Sequence, residues 1–139
     1  VRKSVIKSFK DVDLIVHAGD IDKPDVLETL QTIAMVHPVR GNIDGGKWAR
    51  NLPYTEVVQV GQIYLYVLHD LDSLDLDPAT AGFNVVISGH SHIPKIEKKD
   101  DILFLNPGSA GPKRFDYPIS IAFLYIKGTS IETEIVELK

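Results

Sequence analysis

Residues 13–42, DLIVHAGDIDKPDVLETLQTIAMVHPVRGN, decide the fold. The run Asp13-Leu-Ile-Val-His-Ala-Gly19 reads as a short buried strand that ends at Gly19-Asp20. Asp22 and Pro24 then open a helix, the aspartate as N-cap candidate and the proline in the first turn. Val26, Leu27, Leu30, Ile33 and Ala34 form its apolar stripe. A brief strand from Met35 to Val39 runs into Gly41-Asn42-Ile43-Asp44-Gly45-Gly46, a glycine-rich loop. Strand, helix, strand, each strand delivering a polar residue at its carboxyl end, predicts an α/β sheet.

The pattern extends in both directions. Upstream, Val5, Ile6 and Phe9 share one face at helical spacing within Val1 to Lys10. Downstream, Thr55 to Val60 and Gln62 to Leu68 read as two strands joined at Gly61, the second ending at His69-Asp70. The acidic stretch Asp70 to Pro78 is loop or helix start, and Ala79 to Phe83 leads into a further strand, Val85 to Ser88. Beyond Lys95 only strands follow: Ile96 to Lys99, Ile102 to Leu105, Ser120 to Ile126 and Ser130 to Leu138. With no repeat, linker or low-complexity run, residues 1–139 read as one domain.

Composition narrows the chemistry. The chain has 139 residues, 44% of them hydrophobic and 24% charged, ordinary values for a globular protein. A net charge of −4 provides no basic footprint for nucleic acid. Without cysteine there is no disulfide, thiolate metal site or thiol nucleophile, so a metal would be held by His, Asp, Glu, Asn or water. The apolar runs fall far short of the ~20 residues that span a bilayer, and no signal peptide is visible. A cytoplasmic location is the expectation, and a homo-oligomer is compatible with all of this.

The polar residues at the strand ends form a set. Asp20 follows Gly19, Asn42 follows Gly41, His69 follows Leu68, and in 85–96, VVISGHSHIPKI, His90 and His92 flank Ser91 after Gly89. Each can ligate a metal, and in open α/β sheets sites form where strands stop. A glycine before three of them lets backbone approach a shared centre. Strand alternation would set His90 and His92 on one face. A mixed Asp, Asn and imidazole set suits Mn²⁺, Fe²⁺, Ni²⁺ or Zn²⁺ better than Ca²⁺. Taken singly, Asp20 is a helix-cap alternative less well placed than Asp22, Asn42 reads equally as a turn residue, and His69 reads more readily as an interfacial histidine. His17 and His37, within or near apolar strands, read as structural, His17 also as an orienting partner of a ligand.

This ordered set resembles the calcineurin-like metallophosphoesterase superfamily, and Asn106-Pro107-Gly108-Ser109 narrows the resemblance to its small bacterial and archaeal phosphodiesterases. The resemblance implies a four-layer αββα sandwich, two mixed β-sheets flanked by helices, with a two-metal site at the strand ends. It implies that Asp20 bridges two divalent ions, that Asn42, His69 and His90 complete one metal site, and that His92 belongs to the other. Asn42 and His90 are then the catalytic residues of a hydrolase acting on a phosphate ester through metal-bound hydroxide. Asn42 is then also a substrate contact. Arg114, in the 108–118 segment, reads equally as a phosphate contact and as a solvated loop arginine.

Two positions depart from that pattern. Ile43 stands where many members have a histidine that protonates the leaving group. Such help is typically worth ~10²–10⁴-fold, so diesters with good leaving groups are favoured over monoesters. Asp70 stands where small relatives usually have glycine. The resemblance also implies a strand ending in Asp-x-His ahead of the first helix, whereas the sequence begins at Val1 inside that helix. We therefore expect the natural protein to carry residues before Val1. As written, the second metal site keeps only Asp20 and His92, and weak or single-metal binding is the expectation for this chain. The alternative is a weakly active or inactive scaffold of the same fold, as in the retromer subunit.

Overall fold

The computed structural model describes residues 1–111 and 116–138. The expected β-α-β unit is present. A short helix α1 (Lys3–Ser8) precedes β1 (Leu14–His17), α2 (Pro24–Gln31) and β2 (Met35–Pro38), and β1 and β2 pair in parallel, Ile15 opposite Val36. Helix α2 does not start as the sequence suggested. Lys23 occupies the N-cap position with no side-chain hydrogen bond, and Asp22 is in the left-handed region at φ 77°. A capping aspartate must be extended. Here the Asp22 N–H is instead held by the Asp44 carboxylate at 2.9 Å, which sets a different backbone.

Seven further strands follow: β3 (Thr55–Val60), β4 (Ile63–Leu68), β5 (Val85–Ile87), β6 (Lys95–Lys99), β7 (Ile102–Asn106), β8 (Ser120–Lys127) and β9 (Ser130–Glu137). A single-turn helix, Leu71–Ser73, and α3 (Pro78–Ala81) lie between β4 and β5. Five of the strands form one mixed sheet in the order β3-β4-β5-β7-β6, while β8 and β9 make a separate antiparallel pair.

Alternation along the strands assembles these pieces into layers. Leu65, Val67, Val85 and Ile87 turn one way, into a core shared with Leu14 and Val16 of β1 and with Leu124 and Ile131 of the β8–β9 pair. The β1–β2 and β8–β9 pairs thus cover one face of the five-stranded sheet. Ile15 points away from that core and, with Ile121 of β8, packs against Val5 and Leu30 of α1 and α2. Tyr66, Leu68, Val86 and Ile102 turn to the other face of the five-stranded sheet and meet Leu74, Leu76 and Phe83 of the connecting segment. Helices, strand pairs, sheet and outer segment make the four layers anticipated from the sequence. The strand-pair layer differs in detail, since its ladder is two separate pairs and not one continuous sheet. No helix among the described residues is long and apolar enough to cross a membrane.

This packing brings the carboxyl ends of β1, β2, β4 and β5 to one edge. The first two belong to one layer and the last two to the other. Asp20, Asn42, His69 and His90 follow those four strands in that order.

Candidate metal centre

His69 fixes the geometry. It directly follows the buried strand β4 and is itself 7% exposed. Its Nδ1 lies 2.7 Å from the Ala18 carbonyl oxygen. A carbonyl only accepts, so Nδ1 carries the proton, and in the neutral ring Nε2 presents a lone pair. That lone pair faces Asn42 Oδ1 at 2.6 Å and Asp20 Oδ2 at 3.2 Å. His90 Nδ1 completes the group, 3.2 Å from Asn42 Oδ1 and 3.3 Å from His69 Nε2. Ligand atoms of Asp20, His69 and His90 all lie within 4.8 Å of one another.

The donor chemistry of this cluster fits a cation. An amide oxygen, a carboxylate oxygen and the His69 Nε2 lone pair converge, with His90 Nδ1 beside them. Such an arrangement is mutually repulsive unless a positive charge sits at its centre. Asp20, Asn42, His69 and His90 would hold the ion, and Mn²⁺, Fe²⁺, Ni²⁺ or Zn²⁺ matches the mixed nitrogen and oxygen set.

The loops around the cluster are built to hold these atoms still. Asp20 uses its other oxygen, Oδ1, to accept from the Ile43 N–H at 3.0 Å, so one carboxylate both faces the cluster and ties the 41–43 loop. Gly41 has no alternative there, because a Cβ at that position would run into Asp20 N and Oδ1. Asp20 and His90 adopt φ of 57° and 69°, conformations that few side chains accept and that functional loops over-represent. Asn106, at the end of β7, donates from Nδ2 to the Gly89 carbonyl at 3.0 Å and to Ser91 Oγ at 3.1 Å, which braces the His90 loop. The other nitrogen of His90, Nε2, lies 3.9 Å from Asp70 Oδ2, so a carboxylate faces the ring on the side turned away from the cluster.

Asp44 is the residue that sequence reading passed over. It is 4% exposed and accepts the Gly41 N–H at 2.8 Å and the Asp22 N–H at 2.9 Å, joining the loops that carry Asn42 and Asp20. An aspartate inside a Gly-rich loop carries no local sign of that role.

The histidine pair behaves differently from the alternation argument. Strand β5 stops at Ile87, so neither His90 nor His92 is on a strand, and both have positive φ. The chain turns through the pair. His90 enters the cluster, while His92, half-buried at φ 63°, is not among the residues whose ligand atoms group there. Arg114 lies outside the described residues.

His17 supports the site from behind, its Nδ1 accepting the Gly19 N–H at 3.3 Å. Burial of the ring lowers its pKa from the ordinary 6.5 to about 4, against the opposing pull of the Asp44 and Asp20 carboxylates. The sign follows directly. Between 6.5 and about 4 the unfolded chain binds a proton that the folded chain refuses, so stability falls as pH drops through that window. The loss expected in metal-free protein is on the order of 2 kcal/mol, below the full shift because the residue as a whole keeps some exposure. Urea denaturation should show it as a pH-dependent gap between the native chain and His17→Gln, which cannot titrate; a constant gap would contradict it.

Comparison with known proteins covers nearly the whole chain. The sequence profile of the calcineurin-like phosphoesterase superfamily domain matches residues 1–129. A probable metallophosphoesterase of Methanothermobacter thermautotrophicus is 37% identical over 142 residues, covering 98% of this chain and 82% of the relative. A phosphodiesterase of Methanocaldococcus jannaschii is 25% identical over 123 residues, covering 78% of this chain and 74% of that protein. Among solved structures, wild-type Vps29 of Entamoeba histolytica complexed with Zn²⁺ superposes with a TM-score of 0.78 at 21% identity, covering 99% of this chain and 89% of that one.

Proposed function

From the premise that the chain belongs to the calcineurin-like phosphoesterase superfamily, we propose that it is a metal-dependent phosphodiesterase whose centre is Asp20, Asn42, His69 and His90. The observation that carries this reading is the convergence of Asn42 Oδ1, Asp20 Oδ2 and His90 Nδ1 on the lone pair of His69 Nε2. The phosphodiesterase name of one relative and the Zn²⁺ complex of a structural neighbour support it.

Divalent ions held by these residues, one or a pair, would supply polarisation of a phosphoryl oxygen and a water of pKa lowered towards ~7. The chain's own residues supply the rest. Asp20 contributes negative charge and, through the Ile43 N–H, keeps Asn42 in line with the cluster. Asn42 carries an amide whose nitrogen is available to a phosphate oxygen while its Oδ1 faces the imidazoles. Ile43 is 45% exposed beside the cluster and can transfer no proton, so the leaving alcohol departs without an acid from that position. This favours diesters with stable leaving groups, and His92 and Arg114 complete the proposed set as a second-ion ligand and a substrate contact.

Hydrolysis of bis(p-nitrophenyl) phosphate tests the reading. Turnover is expected with added Mn²⁺ or Ni²⁺, to fall to background in EDTA, and to fall at least ~100-fold in His90→Ala. The corresponding monoester should be the poorer substrate. Ile43 also favours a second reading, a scaffold that retains the ion site without turnover; ion binding with no hydrolysis above the His90→Ala control would establish it instead.

A further inference from the structure

Beside the metal cluster, the structure holds two open cavities that join. The first, about 420 Å³, is lined by Gly89, His90 and Ser91 on the site side and reaches past Asp70 and Ile93 to Phe104. The second, about 430 Å³, continues beyond Phe104 to Leu74, Leu76, Pro78 and Ile102. Leu71, Glu97 and Phe104 line both, so the two make one groove that starts at His90.

Its floor is one face of the β6–β7 ladder, where Glu97 pairs with Phe104 and Lys99 with Ile102. Its wall is the segment between β4 and β5, whose Leu74 and Leu76 are packed on the sheet and whose Leu71 is 41% exposed. The surface offered inside is therefore mostly aliphatic and aromatic. The charges around it are one-sided: carboxylates at Asp70, Asp72, Asp77, Glu97 and Asp100 face two lysines, of which Lys95 is taken by Glu97 at 3.2 Å. A second phosphate along this path would meet net negative charge in a partly desolvated groove. An uncharged hydrocarbon arm would meet Leu71, Ile93 and Phe104.

Resting on the phosphodiesterase reading, we propose that the substrate is a phosphodiester whose second ester arm is apolar and carries no further negative charge, and that this arm lies in the groove running from His90 along β6 and β7. The site then selects by the arm and not only by the phosphate. A polynucleotide or any substrate with successive phosphates is disfavoured, and esters of long-chain or aryl alcohols are preferred.

The test is a series of p-nitrophenyl diesters with methyl, hexyl and 5-carboxypentyl arms, measured with Mn²⁺. Burial of the added methylenes in a half-open groove should raise kcat/KM for hexyl on the order of 10-fold over methyl, and the terminal carboxylate should cancel that gain. Leu71→Asp, at an exposed position where folding is not at stake, should bring the hexyl-to-methyl ratio to within about twofold of one. A native ratio near one, a carboxypentyl ester as good as hexyl, or a ratio that survives Leu71→Asp would each overturn the proposal while leaving the phosphodiesterase reading intact. If no diester is turned over, that reading fails, and the Kd values of the unreactive hexyl and methyl methylphosphonates decide the groove separately: tighter hexyl binding supports it, equal binding overturns it.

Discussion

Gly41→Ala is expected to eliminate ion binding and phosphodiesterase activity together, although no ligand atom is removed. A Cβ at position 41 would overlap the Asp20 backbone N and its side-chain Oδ1. Asp20 cannot retreat easily, since its Oδ1 also holds the Ile43 N–H at 3.0 Å and its backbone is already at φ 57°. Separating the two loops also breaks the Asp44 bond to the Asp22 N–H at 2.9 Å, which crosses between them, leaving a buried carboxylate short of a partner. We expect a stability loss of roughly 3 kcal/mol, from overpacking against backbone combined with a lost charge-assisted bond. Urea denaturation measures the loss. Saturating Mn²⁺, worth ~2.7 kcal/mol to the native protein at one hundred times Kd, should add nothing to the variant. Retention of that stabilisation would show that the 19–20 and 41–42 loops need not approach as closely as they do here.

His69→Ala should have the largest effect on chemistry. Three neighbours converge on Nε2, and the ring is held by the Ala18 carbonyl at 2.7 Å, so no other side chain can take its place. Loss of even an orienting partner of a ligand typically costs 10–100-fold, and loss of the ligand itself is expected to cost on the order of 10³-fold in kcat/KM and at least 10²-fold in ion affinity. Isothermal titration with Mn²⁺ and the bis(p-nitrophenyl) phosphate assay read these separately. An affinity within threefold of native would remove His69 from the ligand set.

The layers were legible through the resemblance and not through periodicity. Leu65-Tyr66-Val67-Leu68 and Val85-Val86-Ile87 are apolar throughout, so only the packing sorts Leu65, Val67, Val85 and Ile87 into one core and Tyr66, Leu68 and Val86 into the other. The cluster was readable from position: Asp20, Asn42, His69 and His90 each sit just past a strand, three of them after glycine. What escaped depends on contacts distant in sequence. Asp44 captures the Asp22 N–H across 22 residues, and that bond removes the helix cap expected at Asp22. The turn through His90 and His92 is set by bonds such as that from Asn106 to the Gly89 carbonyl, so a pair spaced as on a strand is not on one.

The origin of the four proposed ligands in two layers has a consequence for kinetics. Asp20 and Asn42 follow strands of one layer, His69 and His90 follow strands of the other, and no two-ligand half could grip an ion as the whole does. Ion binding by this set would therefore be conditional on the layers having docked, a non-local event. An ion acquired after that step acts on the unfolding rate and leaves the folding rate almost unchanged. A metal so held would be a latch on a closed door: it would determine how long the native state lasts, and have little part in how quickly that state is reached.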